Sequence, residues 1–69
     1  MTSLPIHVNG QPVQTHAAHL QALLQERGHA LNSAIACAIN NTFVPRGEWP
    51  QRVLLAGDRV DVIAPITGG

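Results

Sequence analysis

Residues 4–15 run Leu4-Pro5-Ile6-His7-Val8-Asn9-Gly10-Gln11-Pro12-Val13-Gln14-Thr15, and this stretch decides the fold. Ile6 and Val8 fall on one side of an extended chain and Pro5 and His7 on the other, the period-two pattern of a strand over residues 4–9. Asn9-Gly10 follows without a break. That dipeptide accepts the positive φ that a type I′ turn demands at both central positions, so the strand is expected to fold straight back on itself. Residues 11–15 form the returning strand, with Val13 as its apolar anchor.

The period then changes. Leu20, Leu23 and Leu24 stand at i, i+3 and i+4 and make one apolar stripe along a helix. Gln21, Gln25 and Glu26 take the wet side. Gly28, one residue past Arg27, is placed to stop the helix. Two starts compete: Thr15 has the better capping side chain, whereas the leucine stripe puts the boundary at His19. So short a helix has no stability of its own in water and must pack on the sheet.

Residues 34–39 read as a third strand, apolar on both faces: Ile35, Cys37 and Ile39 against Ala34, Ala36 and Ala38. This suits a strand inside a sheet with both faces partly covered. Asn40-Asn41 is a second turn signal, Thr42 to Val44 runs back briefly, and residues 45–51, with two prolines and a glycine, are expected to be irregular. Gly57-Asp58 marks another turn, and residues 59–64 form the last strand with Val60 and Val62 on one face. Residues 65–69 are expected to be a loose tail. Five short strands and one helix over the sheet make an α+β two-layer domain over residues 1–69, with Val8, Leu20, Leu23, Leu24 and Val60 in much of its core.

Composition narrows the function classes. The chain has 69 residues, 45% hydrophobic and 12% charged, with a formal net charge of zero. That is globular rather than disordered, and too small to enclose a deep active site. Zero net charge gives no electrostatic reason to expect nucleic acid or an anionic membrane as partner. No apolar run approaches the ~20 residues of a membrane span, no secretory signal is visible, and a cytoplasmic location is expected. A single cysteine, Cys37, has no partner for an intramolecular disulfide. All fixed positive charge comes from Arg27, Arg46, Arg52 and Arg59, without a lysine.

Read together, Val8-Asn9-Gly10-Gln11-Pro12-Val13, Leu20-Gln21-Ala22-Leu23-Leu24, Ala38-Ile39-Asn40, Val44-Pro45-Arg46 with Trp49 three residues on, Gly57-Asp58-Arg59-Val60 and the final Gly68-Gly69 resemble the ThiS family of sulfur carriers. They occur in that family's order and spacing over nearly the whole chain. The resemblance implies a ubiquitin-like β-grasp fold, with a mixed sheet of about five strands and one helix on one face. It also implies a role in thiamine biosynthesis. An adenylating enzyme of the ThiF type would use ATP and magnesium to convert the Gly69 carboxylate to an acyl-adenylate. A sulfur-donor persulfide protein would supply the sulfur of a thiocarboxylate, and a thiazole synthase of the ThiG type would take that sulfur. Two positions depart from the family: His19 stands where threonine is usual, and Pro65 where a branched apolar residue is usual.

The chemistry of the residues agrees with a carrier. A carboxylate is a poor electrophile until adenylation converts its oxygen to a leaving group. Gly68 and Gly69 lack side chains and can enter a narrow channel. At average glycine usage of ~7%, two successive glycines end a chain by chance about once in 200 termini. No nucleophile-base pair, paired carboxylates or phosphate-binding glycine loop is visible, so the chain reads as a protein substrate, not an enzyme, with no permanently bound cofactor. Cys37 among alanines and isoleucines reads as core filler. His16 and His19 are three apart, but nothing completes a metal site. Trp49 is expected to cover one end of the core, Asp58 to shape its turn with Gly57, and Arg46 and Arg59 to be solvated, either able to steer an acidic partner. A docking face is expected on the sheet side away from the helix, with Ile63, Ile66, Ile35 and Cys37 as its candidate residues. The alternatives are the small subunit of molybdopterin synthase, which shares fold and tail, and a lysine-attached modifier or passive interaction domain.

Overall fold

The computed structural model describes residues 3–29 and 34–64. Strands β1 (Leu4–Val8) and β2 (Gln11–Thr15) form the opening hairpin, in antiparallel register from Leu4 opposite Thr15 to Val8 opposite Gln11. Asn9 and Gly10 have φ of 51° and 82°, the doubly left-handed pair of a type I′ turn. Helix α1 (Leu20–Glu26) follows, then β3 (Ala36–Ile39), β4 (Thr42–Val44), a 3-10 segment (Arg46–Gln51) and β5 (Arg59–Ile63). The β3–β4 turn repeats the opening one, with Asn40 and Asn41 at φ of 53° and 67°.

The sheet order is β2-β1-β5-β3-β4. The last strand enters the middle, parallel to β1 and antiparallel to β3, which makes the sheet mixed, as expected. β3 is also internal, paired with β4 on its far side.

One sheet face meets the helix. Ile6, Val8, Cys37, Ile39, Val44 and Val60 are buried there with Leu20, Leu23 and Leu24, so the leucine stripe and the expected core stand. Trp49 and Leu54 close one end of this layer. The Trp49 indole N–H donates to the Val44 carbonyl at 3.0 Å, which satisfies its polar atom inside the core. The opposite sheet face carries no covering layer among the described residues.

One open choice is resolved and several local expectations are corrected. The helix starts at His19, whose Nδ1 accepts from the Ala22 N–H at 3.1 Å. Thr15 is fully buried instead. Its hydroxyl accepts from the Ala17 N–H and donates to the Glu26 carboxylate at 2.6 Å, so Glu26 is not simply solvated. β3 begins two residues later than expected. Its Ala36 and Ala38 lie half-buried on the open face, not under a second layer. Residues 46–51, expected to be irregular, form the 3-10 segment.

Candidate functional site

The tail root is built by β5. Its four pairings with β3 run from Val60 opposite Ile39 to Ile63 opposite Ala36, and the Asn9 and Asn40 turns tie its start to the neighbouring strands. The described chain ends at Ala64, one residue past β5. The root of the tail is therefore held by the centre of the sheet, not by an edge. Gly68, Gly69 and Ile66, together with the expectation of a loose tail, lie outside the described residues.

Beside that root the open face is apolar. Residues alternate across a strand, so Ile63 shares its side with Asp61 and Arg59. Through the register it also shares that side with Ala36, Ala38 and Phe43. Ile63 is 61% exposed and Phe43 64%, a degree of exposure for large apolar side chains that marks a contact surface when they cluster. Sequence reasoning placed Ile63 here but missed Phe43. The signal was present: Phe43 alternates with the inward Val44 within β4.

Two other docking candidates are not on this face. Cys37 is 1% exposed and points toward the helix, opposite Val62 and Val44 in its neighbours. Burial pushes its thiol pKa up, and the Arg46 charge opposes that shift only in part. It is core, as its apolar neighbours in sequence suggested, and cannot touch a partner seated on the open face. Ile35 is half-buried and packs against the core. Trp49, 2% exposed, is core as well. Arg46 stacks over its ring at 4.6 Å from the centroid, a cation–π contact that covers the indole.

Asp58 is a structural hub. It is 5% exposed. Its carboxylate accepts from the Leu55 N–H at 2.9 Å and from the Asn40 amide at 3.1 Å, and lies 3.6 Å from the Arg52 guanidinium. It closes the turn at Gly57, whose φ is 88°, and joins that turn to the β3–β4 turn. None of these groups forms a nucleophile-base pair.

A mixed five-stranded sheet clasping one helix, with its last strand central and an apolar patch where the chain leaves it, defines a ubiquitin-like β-grasp domain. The structure superposes on the crystal structure of the thiamine biosynthesis protein ThiS from Geobacter metallireducens with a TM-score of 0.79. The sequence identity is 22%, over 96% of this chain and all of that one. The solution structure of a thiamine biosynthesis protein from the same organism gives 0.78 at 22% identity, over 96% of this chain and 88% of that one. The sulfur carrier protein ThiS of Escherichia coli (strain K12) is 32% identical over 66 residues, covering 96% of this chain and the whole of that protein. The ThiS family model matches residues 6–69; the chain belongs to the ThiS family.

Proposed function

We propose that this chain is the sulfur carrier of thiamine biosynthesis and that its Gly69 carboxylate is the reacting group. The observation that carries the reading is that β5 leaves the sheet centre beside an exposed apolar patch, with Gly68 and Gly69 following four and five residues past Ala64 in the sequence. Membership of the ThiS family and 32% identity to a ThiS sulfur carrier support it.

The chemistry follows from the group available. An adenylating enzyme of the ThiF type, using ATP and magnesium, converts the Gly69 carboxylate to an acyl-adenylate. Sulfur from a persulfide donor then displaces AMP to give an acyl disulfide. A thiol cleaves its S–S bond, leaving as a disulfide with the donor, and the freed thiocarboxylate gives its sulfur to a thiazole synthase of the ThiG type. The carrier contributes no catalytic side chain: it presents a terminal acyl group on glycines that a narrow channel admits. The folded body must dock close to the channel, because residues 65–69 span at most ~18 Å when extended.

The test is intact-mass spectrometry of the protein incubated with its adenylating enzyme, ATP, magnesium, a persulfide donor and a thiol reductant. The expected product carries one sulfur in place of one oxygen. Removing Gly69 should abolish that product while the melting temperature stays unchanged, since no core residue is touched. Undiminished sulfur transfer by the truncated protein would overturn the assignment of Gly69.

A further inference from the structure

The open face has a second end. At the start of β5, opposite the tail root, a shallow cavity of about 460 Å³ is lined by His7, Gly10, Asn41, Arg59, Val60 and Asp61. His7 lies beside Arg59 in the parallel β1–β5 register, and Asp61 follows two residues on along the same face of β5. The frame of this cavity is rigid. The Asn9 side chain accepts from the Val62 N–H at 2.8 Å, and the Asn40 side chain accepts from the Arg59 N–H at 3.0 Å. Both turns are thus pinned to β5, while the Arg59 guanidinium and the Asp61 carboxylate form no salt bridge among the described residues. Arg59 and Ile63 are four residues apart on one strand, which places the cavity ~13 Å from the tail root.

We propose that this cavity receives an acidic side chain of the adenylating enzyme, gripped by Arg59, and that this contact fixes the rotation of the carrier on its partner. The inference rests on the sulfur-carrier reading. The apolar patch of Ala36, Ala38, Phe43 and Ile63 supplies attraction, but hydrophobic attraction has no direction, so the patch alone leaves the body free to turn about its own normal. A tail of limited reach tolerates little such rotation. A charged contact ~13 Å from the tail root removes it, and charged contacts set register and encounter rate more than affinity. The occupant is an acid because His7, Asn41 and Arg59 all bring donors to the cavity, against the single carboxylate of Asp61. The planar fork of arginine matches a carboxylate with two parallel hydrogen bonds.

The test is the Michaelis constant for the carrier in the adenylation reaction with the ThiF-type enzyme, measured against ionic strength. Arg59→Gln should raise KM about tenfold at low salt with kcat unchanged, and the gap to wild type should close toward molar salt as screening removes the charge contact. Arg59→Lys, which keeps the charge and loses the fork, should fall between. The substitution leaves the backbone bond to Asn40 in place, and an unchanged melting temperature confirms an intact fold. A wild-type KM for Arg59→Gln at low salt, or a rise independent of salt, would overturn the inference while leaving the sulfur-carrier reading standing. Absence of any adenylate or thiocarboxylate on the wild-type protein overturns that reading, and this inference with it.

Discussion

Cys37 shows how one residue is assigned by its neighbours across the sheet. A thiol in a sulfur-transfer protein invites a chemical role, yet this one faces Val44 and Val62 in the register and the leucines of α1 across the layer. Sulfur chemistry needs an exposed thiolate, and here burial pushes the thiol pKa above its ordinary value of 9.0. Two consequences follow. Iodoacetamide should label the native protein far more slowly than the urea-unfolded chain. Because the folded pKa is raised, the neutral thiol's contribution to stability is fully present below pH ~9 and is lost as pH climbs through the folded value. The stability gap between wild type and Cys37→Ala should therefore narrow above pH 9, as read by urea denaturation from pH 7 to 10.5; a constant gap would show that the thiol ionises as freely in the fold as outside it.

Among the elements, the helix has the most to lose from a single change. It has seven residues, too few to persist alone, and Leu20, Leu23 and Leu24 hold it to the sheet with no exposed surface. Leu24→Ala should cost ~2–5 kcal/mol, a large part of what so small a domain has; a urea midpoint within error of wild type would show that the stripe does not carry the packing. The elements most legible in the sequence were those with strong local codes. Asn9-Gly10 and Asn40-Asn41 specify left-handed turns, and the i, i+3, i+4 leucines specify a helix face. Where tertiary contacts decide, the sequence misled. Thr15 has the better capping propensity, but its hydroxyl is taken up in the interior by Glu26, leaving the cap to His19. Residues 46–51 contain Pro50 and Gly47 and look irregular, yet burying Trp49 between Val44 and the helix layer winds them into a 3-10 segment. The docking set joined Ile63 on the open face of β5 to Ile35 and Cys37 on the helix side of the third strand, because an all-apolar strand does not reveal which side the helix covers. Only the register with β5 separates Cys37 from Ala36 and Ala38.

At the scale of the whole molecule, the two layers have unequal fates. The helix side is closed, whereas the open side keeps Phe43 and Ile63 largely in water beside the point where the chain leaves the sheet. A domain with zero net charge has little long-range field to gather partners, so if the tail is received here, as proposed, contact at this patch supplies most of the affinity. Under the sulfur-carrier reading two enzymes take the same tail in turn, the first to activate it and the second to collect its sulfur. Both must sit at the tail root, and the reach of five residues leaves each little choice but the same patch. They should therefore compete, and sedimentation of an equimolar mixture should show two binary complexes and no ternary one. Phe43→Asp and Ile63→Asp should each weaken both complexes at least tenfold, as charging the centre of an apolar contact does. The melting temperature should barely move, because neither side chain supports the core and exposed substitutions are worth ~0.5 kcal/mol or less. A ternary complex, or a charged variant that binds either enzyme as tightly as wild type, would show that the partners use different surfaces and that the open face is not what brings the tail to them.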